Sequence, residues 1–141
     1  SPIVTEATDT ASPSVEDEVE AAYLRYWDVY ADAVLNLDET GLEEVMTGAQ
    51  LQRTLGEIGS LRQRGRAAMI LVEHDVVVAE LDAAAGTASI RDRYTNSSYE
   101  VDAETKEAVG DTAPGVVLTD TYSLVKEGEA WKVRDGIRLE E

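Results

Sequence analysis

Asp120-Thr-Tyr-Ser-Leu-Val-Lys-Glu-Gly-Glu-Ala-Trp-Lys-Val-Arg-Asp-Gly-Ile-Arg-Leu139 decides the fold class. The runs on either side of Gly128 alternate apolar and polar residues, which predicts a β-hairpin with one buried and one wet face. In the second run Trp131, Val133, Ile137 and Leu139 fall on one face, and Lys132, Arg134 and Arg138 on the other. A half-buried sheet needs a cover. Everything upstream to about residue 65 reads as helix, so helices must close over the sheet's apolar side.

The first helix is announced by Ser14, a capping residue, followed by Glu16, Asp17 and Glu18, whose charges suit the positive end of the helix dipole. Val15, Val19, Ala22, Tyr23, Tyr26, Trp27, Tyr30, Val34 and Leu37 then recur at spacings of three and four, one continuous helical stripe. Thr40-Gly-Leu-Glu43 resembles a capping box opening a short helix through Val45 and Met46, which Thr47-Gly48 ends. Leu51, Leu55, Ile58 and Leu61 mark another helix, finishing near Gly65. The period then changes to two. Residues 67–81 form a β-branched stretch too long for a straight strand, so a bend or bulge is expected near His74. Residues 82–86 form a turn and 87–99 a strand. Residues 101–114 read as a loop with a hairpin excursion around Glu104-Thr-Lys106, and two further strands complete a four-stranded antiparallel meander.

Twelve basic residues stand against 29 acidic ones, a formal charge of −17. Nucleic acid and anionic membrane surfaces are therefore excluded as expected partners, since both require a basic patch. Cysteine is absent, which removes disulfides and thiolate metal sites. Neither a calcium loop nor a phosphate-cradling glycine loop is present, so neither metal nor cofactor is expected. Residues 1–14, with Pro2, Pro13 and several Thr, Ser and acidic side chains, have the composition of a flexible tether, and residues 15–141 that of one domain. Such a tether suits an exported or membrane-anchored domain; an interdomain linker of a cytoplasmic protein is the alternative.

The order helix, short helix, helix, bent sheet resembles the nuclear-transport-factor-two-like superfamily. The motifs that carry the resemblance are Tyr23-Leu-Arg-Tyr-Trp-Asp-Val-Tyr30, the Met46-Thr-Gly48 break, and the closing Asp120-to-Asp135 hairpin. It is similar above all to non-catalytic branches, such as the IMS-type domains of chloroplast-division proteins and the cone domains of bacterial lipoproteins. The resemblance implies an α+β cone, N-terminal helices packed on a strongly curved antiparallel sheet, and a possible homodimer formed through that sheet. Its motifs are packing signatures and carry little about function.

Four ionisable residues share a phase with apolar neighbours. Asp92 is in step with Ile90 and Tyr94, Asp120 with Leu118 and Tyr122, Asp135 with Val133 and Ile137, and His74 with Val72 and Val76. Burying an unpaired carboxylate costs several kcal/mol, so each needs a partner or a function. In an acid/base enzyme of the ketosteroid isomerase or polyketide cyclase type, His74 or Asp92 would accept a proton while Tyr26, Tyr30 or Tyr94 stabilised an oxyanion. The preferred reading is plainer. Asp120 and Asp135 return to water at a bulge, Asp92 pairs with an arginine on a neighbouring strand, and His74 is a hydrogen-bonded rim residue. Tyr26, Trp27, Tyr30, Tyr94, Tyr122 and Trp131 are the candidates to line a ligand pocket, if they do not simply fill the core. The expected function is a non-catalytic, extracytoplasmic binding or assembly domain for a protein or a small apolar ligand. The alternatives are the acid/base enzyme and a structural spacer.

Overall fold

The computed structural model describes residues 14–110 and 114–138. Of the tether expected over residues 1–14 only Ser14 is among them, and Leu139 lies outside them. Helix α1 (Val15–Asn36) starts where expected, with the Ser14 hydroxyl accepting from the Asp17 N–H at 3.1 Å. Val19, Tyr23, Tyr26, Trp27 and Val34 of its stripe are buried, and it ends at Leu37 in the left-handed conformation. The expected capping box at Thr40 does not form. Asp38 instead accepts from the Thr40 N–H, and Gly41, with φ of 92°, opens a single 3₁₀ turn at Leu42–Glu44. Helix α2 (Gly48–Arg64) is closed by Gly65.

The strands are β1 (Arg66–Met69), β2 (Val72–Glu73), β3 (Val76–Asp82), β4 (Thr87–Asn96), β5 (Tyr99–Asp102), β6 (Val116–Glu127) and β7 (Ala130–Arg138). All named pairings are antiparallel: β1 with β5, then β2 and β3 along one edge of β4, β4 with β6, and β6 with β7. This is an α+β fold, two helices packed against antiparallel sheet.

The long stretch after residue 66 does bend, and it breaks twice. One break, at Ile70-Leu71, faces a matching break at Ser97-Ser98 in the strand expected to run unbroken over 87–99. Leu71 and its partners stitch the crease together: the Ser97 N–H donates to the Leu71 carbonyl, and the Leu71 N–H donates to Ser98 Oγ. Asn96-Ser-Ser98, a glycosylation motif on paper, is part of that turn, with Asn96 Oδ1 accepting from the Ser98 N–H. The other break falls at His74-Asp75, between β2 and β3. Beyond β5 the chain turns at residues 103–105, and Val109 donates back to the Glu100 carbonyl, so the hairpin excursion forms.

The closing hairpin departs from simple alternation. Leu124 faces Val133, yet the next residue back, Ser123, faces Asp135, so Arg134 is one residue too many on β7. A bulge of this kind flips the phase of everything beyond it. Trp131 and Val133 are buried as expected, but Ile137 is 62% exposed and Arg138 turns to the helix side, opposite Asp120. The expected shared face of Trp131, Val133 and Ile137 is therefore split at the bulge. The start of α2 sits on the same place: the Thr47 N–H donates to the Val133 carbonyl, and Gly48 leaves only 3.2 Å between a would-be Cβ and the Arg134 side chain.

Two residues past the bulge, Gly136 faces Tyr122, and the phenol ring lies across it. A Cβ there would meet Tyr122 Cε2 at 2.6 Å. Gly136→Ala should therefore displace a buried ring and cost about 1–3 kcal/mol. Urea unfolding of the variant beside Gly56→Ala, which meets nothing within 4 Å and lies in a helix, checks it; equal midpoints would refute the packing argument.

Candidate functional site

A cleft of about 550 Å³ opens between the two helices and the sheet. Tyr26, Trp27 and Tyr30 line it from α1, and Gln50, Arg53, Thr54, Glu57, Leu61 and Arg64 from α2. The sheet contributes Tyr94, Tyr99, Glu100, Asp120, Tyr122, Gly136 and Arg138. Of the expected pocket residues, Tyr26, Trp27, Tyr30, Tyr94 and Tyr122 therefore come together at one cleft. Trp131 does not; it is buried in the core away from it. The rings meet at steep angles, Trp27 with Tyr30 at 89° and 5.7 Å between centroids, and Trp27 with Tyr94 at 59° and 5.5 Å.

His74 and Asp92, the expected acid/base pair, are bonded to one another but do not line the cleft. Asp92 is fully buried. One oxygen takes the Tyr23 O–H and His74 Nδ1, each at 2.6 Å, and the other takes the Asp75 N–H at 3.1 Å. The arginine partner expected on a neighbouring strand is not there: Asp92 faces Val76 of β3 and Asp120 of β6, and neither strand contains an arginine. His74 occupies the break between β2 and β3, where its ring packs 5.1 Å from that of Trp27. Burial and the Asp92 carboxylate together push the Tyr23 hydroxyl far above its ordinary value, so it stays a donor.

Asp120 is directly opposite Asp92 across the β4–β6 ladder. Like charges so placed repel, and each carboxylate is accordingly turned to its own partners. Asp120 accepts from the Tyr94 hydroxyl at 2.6 Å, the Tyr122 hydroxyl at 3.2 Å and Arg138 Nε at 2.9 Å. It does not return to water, contrary to the sequence expectation, because the bulge at Arg134 delivers Arg138 to it. Asp135 is the carboxylate that the bulge returns to the surface, where Arg53 binds it at 2.9 Å. Burial alone would raise the Asp120 carboxyl, but hydrogen bonds from Arg138 and Tyr94 and the Arg138 charge outweigh it and hold it below the ordinary value. Burial, with the Asp120 hydrogen bond and charge, raises Tyr94 to about 12.

Helix α2 contributes what sequence reasoning missed. Gln50 Nε2 donates to the Tyr26 oxygen at 2.6 Å, and Arg53 Nη1 donates to Gln50 Oε1 at 2.6 Å. The Tyr30 hydroxyl donates to the Glu57 carboxylate, with both oxygens within 3.0 Å. Among the described residues no Lys, Arg or His pairs with Glu57. Burial, and next the neighbouring Glu100, raise its carboxyl above the ordinary range despite the Tyr30 bond. The signal was present in the spacing: Gln50, Thr54 and Glu57 recur at four and three, a polar stripe beside the one formed by Leu51, Leu55, Ile58 and Leu61.

No family model matches the chain, and no curated protein matches it. Among solved structures, the crystal structure of the intermembrane space region of the chloroplast protein ARC6 is similar, with a TM-score of 0.71. The superposition covers 92% of this chain and 100% of that one, at 16% identity. Two helices on antiparallel sheet are thus a known architecture, shared at a level of identity that speaks for the fold alone.

Two pH responses follow from the site. Asp120, depressed in the fold, contributes stability that is fully present above its unfolded pKa of about 4 and is lost as the pH falls through the folded value. Asp120→Asn should be less stable at pH 7 and have a shallower acid limb in thermal melts from pH 7 to 2; an unchanged limb would refute the assignment. Glu57 has the opposite sign. Its raised folded value means that stability falls as the pH rises from about 4 through that value, and stays lower above it. Glu57→Gln should therefore melt at a higher temperature than the parent at pH 7.5, with the gap closing toward pH 4.

Proposed function

We propose that the chain is a non-catalytic, extracytoplasmic binding domain of the nuclear-transport-factor-two-like cone type, and that the cleft between α1, α2 and the sheet is where it binds. The observation that carries this reading is the separation of the acid/base pair from the cavity. Trp27 and Tyr94 line the cleft and pack against His74, while His74 and Asp92 do not line it. Within the cleft, Asp120 is held by three donors and Tyr26 by Gln50, an arrangement that fixes side chains for recognition. The extracytoplasmic part of the proposal draws support from the similarity to an intermembrane space region and from the tether-like composition of residues 1–14. No described helix is long and apolar enough to cross a membrane. Assembly belongs to the same proposal. On the outer face of the sheet, Val77, Arg91, Thr121 and Ile137 form one cross-strand row in which both ends are exposed apolar side chains, a surface for a protein partner or a second copy.

The test is a small-molecule fragment titration followed by amide chemical shifts. Binders should perturb Thr54, Ala68 and Gly136 at the cleft, and should be recovered unchanged after prolonged incubation. Turnover of any binder that His74→Gln or Asp92→Asn abolishes would overturn the non-catalytic reading, and fragments that bind only elsewhere would overturn the cleft.

A further inference from the structure

Three arginines and three carboxylates line the cleft, and assigning partners takes up all three arginines but only two of those carboxylates. Arg138 is bonded to Asp120, Arg64 to Glu100 and Arg53 to Asp135, each at 2.9 Å. Glu57 remains, a half-buried carboxylate whose only side-chain partner among the described residues is the neutral Tyr30 hydroxyl. Tyr30 meets Trp27 nearly at right angles and Trp27 meets Tyr94, so three rings in succession from Glu57 line the same cleft. Aromatic rings present a negative face, so two or three walls meeting around one carboxylate attract a cation whose substituents are apolar.

Resting on the reading that this cleft is the binding site, we propose that it takes an organic cation of the alkylated ammonium class. Glu57 supplies the counter-charge, and the rings of Trp27, Tyr30 and Tyr94 hold the alkyl groups. A fully hydrated metal ion would gain little from such walls, because its waters would face carbon. An anion would have to take an arginine from an existing carboxylate partner and approach a molecule of net charge −17. The same net charge concentrates cations around the molecule and speeds their encounter with it. An unpaired carboxylate on a core-facing helix costs stability, and a ligand that neutralises it explains why glutamate stands at a position where glutamine would keep the Tyr30 hydrogen bond.

Calorimetric titration with choline, its uncharged isostere 3,3-dimethylbutanol, and benzoate tests the proposal, with amide shifts locating each contact. Choline should bind at the cleft, the isostere about tenfold more weakly or worse, and benzoate not at all. The difference corresponds to loss of one charged contact. Glu57→Gln should lose the preference for choline while its melting temperature rises, a combination that a merely structural role for Glu57 would not give. Tyr30→Phe keeps the ring and should retain choline binding. If choline and the isostere bind the cleft equally, or if benzoate is preferred, the cationic ligand is overturned while the binding cleft stands. If no probe perturbs the cleft, the cationic ligand falls, and the fragment titration separately decides whether the cleft binds anything.

Discussion

This protein contains no phenylalanine, and much of its interior architecture follows from that constraint. Aromatic bulk is needed where a helix crosses a sheet, and here all of it arrives with a polar tip. Each buried phenol must find a hydrogen-bond partner or forfeit about 1–3 kcal/mol. Tyr23 finds Asp92, Tyr26 finds Gln50, Tyr30 finds Glu57, and Tyr94 and Tyr122 share Asp120. The acids on the inner face of β4 and β6 are thus the other half of the tyrosines. The indole nitrogens of Trp27 and Trp131 are the exceptions, buried with no hydrogen-bond partner among the described residues.

The α1 stripe and the Ser14 cap were legible because a long run of apolar residues at spacings of three and four admits one structure. The bend near His74 was legible because a β-branched stretch of that length cannot run straight across a small domain. The phase of Asp92 correctly placed it in the core, but its partner was misjudged. Neither strand beside it contains an arginine, and its true donors come from α1 and from the neighbouring edge. Partners of that kind are set by how the layers cross, which no local pattern records.

The bulge at Arg134 was illegible for a different reason. Alternation counts residues, and one supernumerary residue leaves the count plausible while reversing its meaning. It exchanged the environments of Ile137 and Arg138 and, with them, the fate of Asp120. Gly136 was the clue, since a glycine inside a strand often marks a bulge or a close approach, and here it does both duties: it adjoins the bulge and makes room for the Tyr122 ring. Glu57 was overlooked because one acid on a helix normally faces water. Only the crossing of α2 over the tyrosines of α1 makes it a wall of the cleft.

The supernumerary residue in β7 has an evolutionary corollary. Deleting Arg134 would leave every pairing beyond it unchanged, whereas flattening the bulge with Arg134 kept in the ladder would restore strict alternation, bring Ile137 opposite Asp120 and send Arg138 outward. The rim would become greasy and Asp120 would be stranded without its cation. Lineages of this architecture can therefore change the character of the cavity by a register change in an outer strand, leaving both helices and the cavity residues of β4 and β6 untouched. Divergence in recognition would then show as a frame offset in β7 before it showed as substitutions in the cavity.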